Sequence, residues 1–420
     1  MHNLDTDNIR IDRQRLLDRI AALAEVGAIE GGGVCRLALS EQDKAGRDLV
    51  TTWMRDLGLH ISVDQVGNVV GVRPDQTGQT DAPAILTGSH IDTVGTGGRY
   101  DGTLGVLAGL EVMACLNDAS VETPCPIAVG FFSNEEGVRF QPDMMGSMVH
   151  QGHLPLDGML ESIDRDGVSF KSELNRIGYA GNVPVNTVRP RAFVELHVEQ
   201  GPVLEQESIS IGAVEGVQGL SWREYVFTGV SNHAGTTPMA LRHDAGYAAG
   251  ALAVFARDLA QQMGGDQVAT AGTILLVPNL VNVIAKQSIV TIDARNTDND
   301  LLIEAETKLD TFAQEVADRE GLTLTIKSLA RYDPTPFDPA VVDLVVSCAE
   351  AFGLSVRRMP SGAGHDAQAF APNCPTGMIF VPSVGGISHN VAEFTDDTDI
   401  ESGTNILLHT LLRLAETAAD

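Results

Sequence analysis

Positive charge is scarce in this 420-residue chain, which has 28 lysines and arginines against 56 aspartates and glutamates and a formal net charge of −28. Such a surface repels nucleic acids and anionic lipids, so we expect neither as a partner. A few placed positive charges can still dominate locally, so the balance does not exclude a small anionic ligand. The acidity is equally consistent with a role in solubility or with a salty habitat.

Long apolar runs and a secretory leader are also lacking. The first 19 residues are polar and charged and contain no apolar core of a signal peptide. No apolar run approaches the roughly 20 residues that a membrane-spanning helix requires. We therefore expect no membrane partner and a cytoplasmic location.

Cysteine is rare, and its pattern argues against a disulfide framework. The number is odd and no two residues form a CxxC pair, which fits a reducing compartment. None lies beside an obvious base, so structural roles are expected. The five are Cys35, Cys115, Cys125, Cys348 and Cys374.

Short apolar segments that alternate with helical periodicity predict an α/β fold, with a mainly parallel sheet flanked by helices. Strands are predicted at 84–87, 127–132 and 193–196, and a helix is predicted over 103–116. In such sheets functional residues gather at the carboxyl ends of the strands. A His or Glu follows each of these three strands.

The pattern changes after residue 216, where a strand, a helix, two strands, a helix and a strand follow one another. This order predicts a smaller α+β domain over 216–332, inserted into a catalytic metal-binding domain formed by 1–215 and 333–420. Gly216-Val217 and the proline-rich Asp333-Pro334-Thr335-Pro336 mark the boundaries.

Five side chains of typical metal-ligand types follow these strands or lie near glycine-rich turns. They are His90, Asp101, Glu136, His197 and His389. Two metal ions about 3.5–4 Å apart need a bridging ligand, and a carboxylate can bridge with its two oxygens. The ligand types suit zinc and also manganese, cobalt or nickel. Any one such residue alone is more often an ordinary hydrogen-bonded polar group, so the prediction depends on all five together.

Asp92 lies two residues after His90, which places both side chains on one face of an extended segment. The Asp92 carboxylate is therefore expected to hold the His90 imidazole in place. Glycines in 97–102 allow the chain to bend sharply and bring Asp101 inward.

Several motifs resemble one known family. They are Gly88-Ser89-His90-Ile91-Asp92-Thr93-Val94, Gly97-Gly98-Arg99-Tyr100-Asp101-Gly102, Asn134-Glu135-Glu136-Gly137, Glu195-Leu196-His197-Val198-Glu199-Gln200-Gly201 and Ser361-Gly362-Ala363-Gly364-His365-Asp366-Ala367. The family is the amidase/hydantoinase/carbamoylase branch of the dinuclear-metal aminoacylase and dipeptidase superfamily. It includes N-carbamoyl-L-amino-acid hydrolases, β-ureidopropionases and allantoate amidohydrolases. The resemblance covers nearly the whole chain, and the Glu-Leu-His-x-Glu-Gln-Gly motif is specific to this branch.

The resemblance implies a site for two divalent ions, with zinc expected first and Mn²⁺, Co²⁺ or Ni²⁺ as alternatives. The implied ligands are His90 and His197 for one ion, Glu136 and His389 for the other, and Asp101 as the bridge.

The resemblance also implies that Glu135 is the general base toward water and later protonates the leaving nitrogen. Gln200 would hydrogen-bond the carbamoyl or amide end of the substrate. In the inserted domain, which resembles the family's lid and dimerisation domain, His233 would stabilise the oxyanion from the partner subunit. Asn282 and Arg295 would bind the substrate carboxylate, a task that suits the planar guanidinium.

Simpler explanations of three residues stay open. His233 could cap its own turn, and Arg295 could form a salt bridge at the end of a strand. His365 is grouped with the substrate-binding residues because of its glycine-rich loop, and a purely structural role is the alternative. Ala285 stands where a proline is common in the family, and no functional consequence is attached to it.

The function implied by the resemblance is hydrolysis of an N-carbamoyl-L-amino acid to the amino acid, carbon dioxide and ammonia by a homodimer. An allantoate-type amidohydrolase or an N-acyl-amino-acid amidohydrolase would use the same chemistry, and both stay open. A dipeptidase is disfavoured by Gln200 and the Glu-Leu-His motif. A catalytically silent scaffold is disfavoured because Glu135 and all five ligand positions are present.

Overall fold

The computed structural model describes residues 8–185 and 187–417. Its strands are β1 (His60–Val63), β2 (Val69–Arg73), β3 (Ala84–His90), β4 (Ile127–Phe132), β5 (Pro190–Val198), β6 (Ile211–Val217), β7 (Gly219–Thr228), β8 (Asn232–His233), β9 (Val268–Val277), β10 (Val283–Ile284), β11 (Gln287–Asn296), β12 (Thr323–Tyr332), β13 (Thr335–Pro336), β14 (Val356–Ser361) and β15 (Thr376–Val381). Its α-helices are α1 (Arg13–Ala24), α2 (Glu41–Asp56), α3 (Thr103–Asp118), α4 (Met145–His150), α5 (Leu156–Leu160), α6 (Phe170–Arg176), α7 (Val203–Glu207), α8 (Ala245–Met263), α9 (Asn299–Glu320), α10 (Pro339–Ala351), α11 (Asp366–Phe370) and α12 (Asp397–Thr417). No helix within these described ranges is both long and apolar enough to cross a membrane.

The chain divides into two compact units. The large unit comprises Met1–Glu215 and Pro336–Asp420, and the small unit comprises Gly216–Thr335. The second boundary thus lies at 335/336, three residues beyond the predicted 332/333.

A nine-stranded mixed sheet forms the centre of the large unit, in the order β1-β2-β4-β3-β5-β15-β6-β13, with β14 also paired to β6. The neighbours β4, β3, β5 and β15 are parallel. Antiparallel pairs join β1 to β2, β2 to β4 and β6 to β15. Every residue of β3, β4 and β15 is buried, because α3 and α12 pack on the sheet as do α4 and α11. The predicted α/β class is confirmed, with antiparallel strands toward both edges.

Helix α3 is buried on all sides from Thr103 to Leu116 and packs against β3, α1 and α12. Its fully buried carboxylate, Glu111, accepts two hydrogen bonds of 2.7 Å from Arg15 and one of 3.3 Å from Arg19. A buried charge needs such partners to be tolerated. The ion pairs therefore hold α1 against α3, the helix that begins two residues after Asp101.

The small unit is a four-stranded antiparallel sheet in the order β12-β7-β11-β9, with α8 and α9 packed on one face. Alternate residues of β11 are buried, including Val290 and Ile292, so this strand has one face toward the helices. On the other face Trp222 and Leu275 are exposed. The strand–helix–strand–strand–helix–strand order predicted from the sequence is present.

Candidate active site

The carboxyl ends of three neighbouring strands bring the central candidates together. His90 is the last residue of β3, and His197 is the second-last residue of β5. Glu135 and Glu136 lie in the turn that follows β4. Because β4, β3 and β5 are parallel neighbours, all three ends lie at the same edge of the sheet.

Asp101 reaches this edge from the turn before α3. Gly102 has a φ of +65°, and a Cβ atom there would lie 2.3 Å from the His90 ring. Only glycine fits this approach, which brings the backbone against the imidazole. The Glu393 carboxylate accepts hydrogen bonds from the backbone N–H groups of Tyr100 (3.0 Å) and Asp101 (3.1 Å), which fixes the turn.

The two oxygens of Asp101 face two different groups of side chains. The Oδ1 atom lies 3.2 Å from His197 Nε2 and 3.7 Å from His90 Nε2. The Oδ2 atom lies 3.3 Å from His389 Nε2, which is itself 3.4 Å from Glu136 Oε2. The five predicted ligands thus form two three-residue clusters, each of a size to hold a metal ion, and they share Asp101.

The imidazoles of His90 and His197 have their Nε2 atoms available for a metal. His90 Nδ1 contacts the backbone carbonyl of Asp92 at 2.9 Å, and His197 Nδ1 contacts the carbonyl of Val198 at 2.8 Å. A carbonyl only accepts, so each Nδ1 carries a proton and Nε2 is the atom that would bind a metal. With no metal bound, burial opposes protonation of His197, but its hydrogen bond to Asp101 raises the pKa of the ring to about 9. The donor set therefore fits two divalent cations.

The contact predicted for Asp92 differs in the structure. Its backbone carbonyl, not its carboxylate, orients His90. The carboxylate instead accepts hydrogen bonds from the backbone N–H groups of Glu135 (3.2 Å) and Glu136 (3.3 Å). The reason is that the turn after β4 offers two unpaired donors to this buried acceptor. Asp92 thus supports the two glutamates directly.

The charges of the site favour bound cations. Burial opposes ionisation of Asp101, yet hydrogen bonds from His197 and His389 hold its pKa well below the ordinary value. Burial lowers the pKa of His90 to about 4. Burial and then repulsion from Asp101 raise the pKa of Glu136 well above the ordinary value. Crowded buried carboxylates take up protons unless other positive charges compensate them.

Glu135 is buried and belongs to neither cluster. Its Oε2 atom lies 3.4 Å from His90 Nε2. Burial, followed by the negative charges of Asp366 and Glu136, raises its pKa well above that of an exposed glutamate. A raised pKa suits a carboxylate that takes and returns a proton near neutral pH.

Gln200 lies on the other side of Asp101, in a backbone conformation with φ of +57°. Its Nε2 atom donates to Asp101 Oδ2 at 2.9 Å and to Ser388 Oγ at 3.2 Å. Its Oε1 atom is buried and accepts no hydrogen bond from the described residues. An unpaired buried acceptor is costly, so this oxygen is ready to accept from a ligand N–H.

His365 is buried and lines a cavity of about 140 Å³ together with the two clusters, Glu135 and Gln200. Its Nε2 atom contacts Ser361 Oγ at 2.9 Å. Burial, followed by repulsion from His197, holds its pKa well below the ordinary value, so the ring is neutral. Both of the predicted settings, a pocket wall and a structural hydrogen bond, are therefore present.

In the small unit, His233 lies on a two-stranded ribbon in which it pairs with Val283. Asn282 directly precedes Val283, and its backbone carbonyl accepts from the Ala234 N–H at 3.0 Å. His233 is exposed, and its Nδ1 accepts from the backbone N–H groups of Gly235 (3.0 Å) and Thr236 (3.2 Å). It therefore caps its turn. Because Nδ1 accepts, a neutral ring carries its proton on Nε2, which makes that atom a donor.

Arg295 lies at the far end of β11 from this ribbon and pairs in register with Leu220 and Val268. Its guanidinium forms an ion pair with Asp293 at 2.8 Å, and both side chains are partly exposed. Eight residues of extended strand, about 27 Å, separate Gln287 from Arg295. The structure of this unit therefore does not bring Asn282 and Arg295 together.

Two buried carboxylates beside the site are absent from the sequence prediction. Glu393 holds the Asp101 turn, and Glu195 accepts from Ser89 Oγ (2.6 Å) and from the Ala367 N–H (2.8 Å). Glu195 precedes His197 by two residues on a strand, and that spacing is the signal that could have revealed it. Glu393 carries no comparable signal.

The sequence is similar to known proteins over almost its whole length. The model of peptidase family M20/M25/M40 matches residues 86–413. An N-carbamoyl-L-amino-acid amidohydrolase of Rhizobium meliloti is 38% identical over 410 residues, covering 98% of each chain. An allantoate amidohydrolase of Escherichia coli (strain K12) is 36% identical over 409 residues, covering 96% of this chain and 98% of that one.

Solved structures show the same similarity. A hydantoinase/carbamoylase family amidase from Burkholderia multivorans superimposes with a TM-score of 0.94 at 43% identity, covering 97% of this chain and 98% of that one. The resemblance inferred from the motifs is thus confirmed: the chain belongs to peptidase family M20/M25/M40 and is similar to its hydantoinase/carbamoylase amidases.

Proposed function

We propose that the protein hydrolyses an N-carbamoyl-L-amino acid to the free amino acid, carbon dioxide and ammonia. The observation that carries the proposal is the division of the Asp101 carboxylate between two ligand clusters. The similarity to N-carbamoyl-L-amino-acid amidohydrolases over almost the whole chain supports the choice of scissile group.

The proposed metal ligands are His90 and His197 for one ion, Glu136 and His389 for the other, and Asp101 between them. Two divalent ions held there, with zinc proposed first, would supply Lewis-acid activation of water and of the scissile carbonyl. The Glu393 carboxylate keeps Asp101 in place by accepting from its backbone N–H. The Asp92 carboxylate likewise accepts from the backbone N–H of Glu136.

Glu135 is proposed as the proton carrier. It takes a proton from the attacking water and later gives that proton to the leaving nitrogen. Gln200 Oε1, a buried acceptor without a donor among the described residues, is proposed to accept from the ureido N–H₂. This contact would favour a carbamoyl group over a simple acyl group, because an acyl carbon offers no N–H there.

His233 and Asn282 are proposed to act together, since His233 pairs with Val283, the residue that follows Asn282. His233 Nε2 would donate to the oxyanion, and Asn282 and Arg295 would bind the substrate carboxylate. Arg295 lies about a full strand length away from that ribbon within one small unit. We therefore propose that the two groups reach one substrate from different subunits of a homodimer, and the exposed Trp222 and Leu275 fit self-association of this unit.

An allantoate-type amidohydrolase is the second candidate. It is favoured by the 36% identity to the Escherichia coli allantoate amidohydrolase across 96% of this chain. Allantoate also carries a carboxylate and ureido N–H groups, so it would use the same contacts.

The reaction class is tested with a panel of substrates and metal-loaded protein. We expect ammonia from N-carbamoyl-L-amino acids, or from allantoate if the second candidate applies. N-acetyl amino acids, followed by release of the free amine, serve as the control for acyl chemistry. Amine release from the acetyl compounds alone, with no ammonia from any ureido compound, would overturn the proposal.

Replacing Arg295 by alanine is expected to raise KM for a carboxylate-bearing substrate by about 10–100-fold, with a smaller change in kcat. The reason is that a hydrogen-bonded charge pair with the substrate carboxylate is lost. Arg257→Ala removes an exposed arginine on α8 and is the matched control. Steady-state kinetics of both variants decide the point, and an unchanged KM in Arg295→Ala would contradict the assignment.

A further inference from the structure

Most residues that line the cavity of the large unit already have a proposed role in metal binding, proton transfer or ureido recognition. Asp143 is an exception: it lines the same cavity, and neither cluster of ligands includes it. A carboxylate in a cavity wall that the reaction does not use is a candidate for substrate selection.

The backbone fixes Asp143 beside the proposed base. The N–H of Met144 donates to the Glu135 carbonyl at 2.7 Å. The segment after Glu136 therefore folds back, so that Asp143 and Met144 lie beside the turn that carries Glu135. Gly137 permits this return, because a Cβ atom there would lie 2.8 Å from both Cα and Cβ of Asp143. Asp143 is thus positioned by the same short segment that carries Glu135.

The Asp143 carboxylate has no cationic partner among the described residues. The other carboxylates that line the cavity, Asp101, Glu135 and Glu136, each have a histidine nitrogen at 3.2–3.7 Å. Asp143 forms no comparable ion pair within 8–185 and 187–417. The residue as a whole is exposed at the cavity mouth, yet burial raises the pKa of its carboxyl. The missing partner, and not the pKa, leaves the carboxylate oxygens open to N–H donors of a ligand.

A second acceptor without a donor lies beneath this part of the cavity wall and does not itself line the cavity. Gly364 lines the cavity, and a Cβ atom on it would meet Met144 Cε at 3.3 Å and Gln368 Oε1 at 3.6 Å. Gln368 is 9% exposed, and its Oε1 atom accepts no hydrogen bond from the described residues. The segment that follows Asp143 therefore packs beside a buried, unpaired acceptor.

We propose that Asp143 selects substrates whose arm on the α-carbon ends in an ammonium or another group rich in N–H donors. The inference rests on the proposed function and names the substrate class of the same site. An N–H-rich arm would pair with the carboxylate oxygens of Asp143. An aliphatic arm would leave these oxygens unpaired, which is costly in a partly enclosed site.

Two substrates with arms of nearly equal length test this proposal. Nα-carbamoyl-L-ornithine ends in an ammonium, whereas N-carbamoyl-L-norleucine ends in a methyl group. We expect the metal-loaded protein to prefer the ornithine compound in kcat/KM, measured by ammonia release. Asp143→Asn keeps the size of the side chain and should reduce that preference at least about tenfold, mainly through KM. The norleucine compound should change less than about threefold.

Asp166→Asn, which removes one exposed negative charge outside the cavity, is the matched control and should leave the preference unchanged. The Asp143 assignment alone would be overturned if both substrates release ammonia and Asp143→Asn shows the same preference between them as the parent protein. Ammonia from neither of these two nor from allantoate would overturn the proposed function and, with it, this inference.

Discussion

Glu135→Gln is expected to bind both metal ions and to lose about 10²–10⁴-fold in kcat. Glutamine has the same shape as glutamate but cannot take a proton from water, and general-base catalysis contributes about this much. We expect the metals to stay bound because Glu135, although buried beside His90, belongs to neither ligand cluster. Its loss should therefore leave the ligands in place.

The measurement pairs kcat for a ureido substrate with metal content per chain. Glu122→Gln, an isosteric change at an exposed glutamate, is the matched control and should retain parent activity. The assignment fails if Glu135→Gln turns over substrate within about threefold of the parent. It also fails if the variant loses its metals, because Glu135 would then be a ligand.

Asp101→Ala is expected to weaken both metal sites and to reduce kcat/KM by at least about 10³-fold. The carboxylate is the one member common to both clusters, so its removal takes a ligand from each. Metal activation contributes several kcal/mol to transition-state stabilisation, and each 1.36 kcal/mol corresponds to about tenfold in rate.

Single-site variants make this prediction specific. His197→Ala should mainly weaken the ion proposed to lie between His90 and His197, and His389→Ala the ion proposed beside Glu136. After dialysis against dilute metal, Asp101→Ala should retain fewer ions per chain than either histidine variant, with unchanged far-ultraviolet circular dichroism. Retention of two ions per chain by Asp101→Ala would contradict a bridging role.

The buried centre of the fold was predictable because its signals are strong. β3 and β4 are apolar on both faces and α3 is apolar all round, which requires burial in the middle of a layered structure. Ser40 is a residue type that favours the start of a helix, and its hydroxyl accepts from the N–H of Asp43 at 3.1 Å at the start of α2. These local preferences and the tertiary structure agree.

Elements with weak apolar signals were harder to predict. β9 begins at Val268, and its first half carries a weak strand signal because it is rich in small residues and lies at a sheet edge. β14 contains Arg357, Arg358 and Pro360 and was not predicted as a strand. α8 begins at Ala245, because the Asp244 carboxylate accepts from the N–H groups of Gly246 and Tyr247.

Much of the site followed from residue types at strand ends, whereas its supporting contacts did not. His90, Glu136 and His197 converge because parallel strands end at one edge of the sheet, and loops bring Asp101 and His389 to the same place. Spacing alone suggested that the Asp92 carboxylate would hold His90, but the backbone carbonyl does so. Periodicity does not reveal which buried acceptor faces which backbone donor, so the contact of Glu393 with Asp101 could not be read from sequence.

The most direct test of the account is ammonia release from an N-carbamoyl-L-amino acid by chelator-stripped protein as zinc or manganese is added stepwise. We predict no ammonia from the stripped protein and a rise in activity that is complete at two ions per chain. The same titration of Asp101→Ala should give little ammonia at any metal concentration. Ammonia release by the stripped protein at the rate of the reloaded protein would contradict the account.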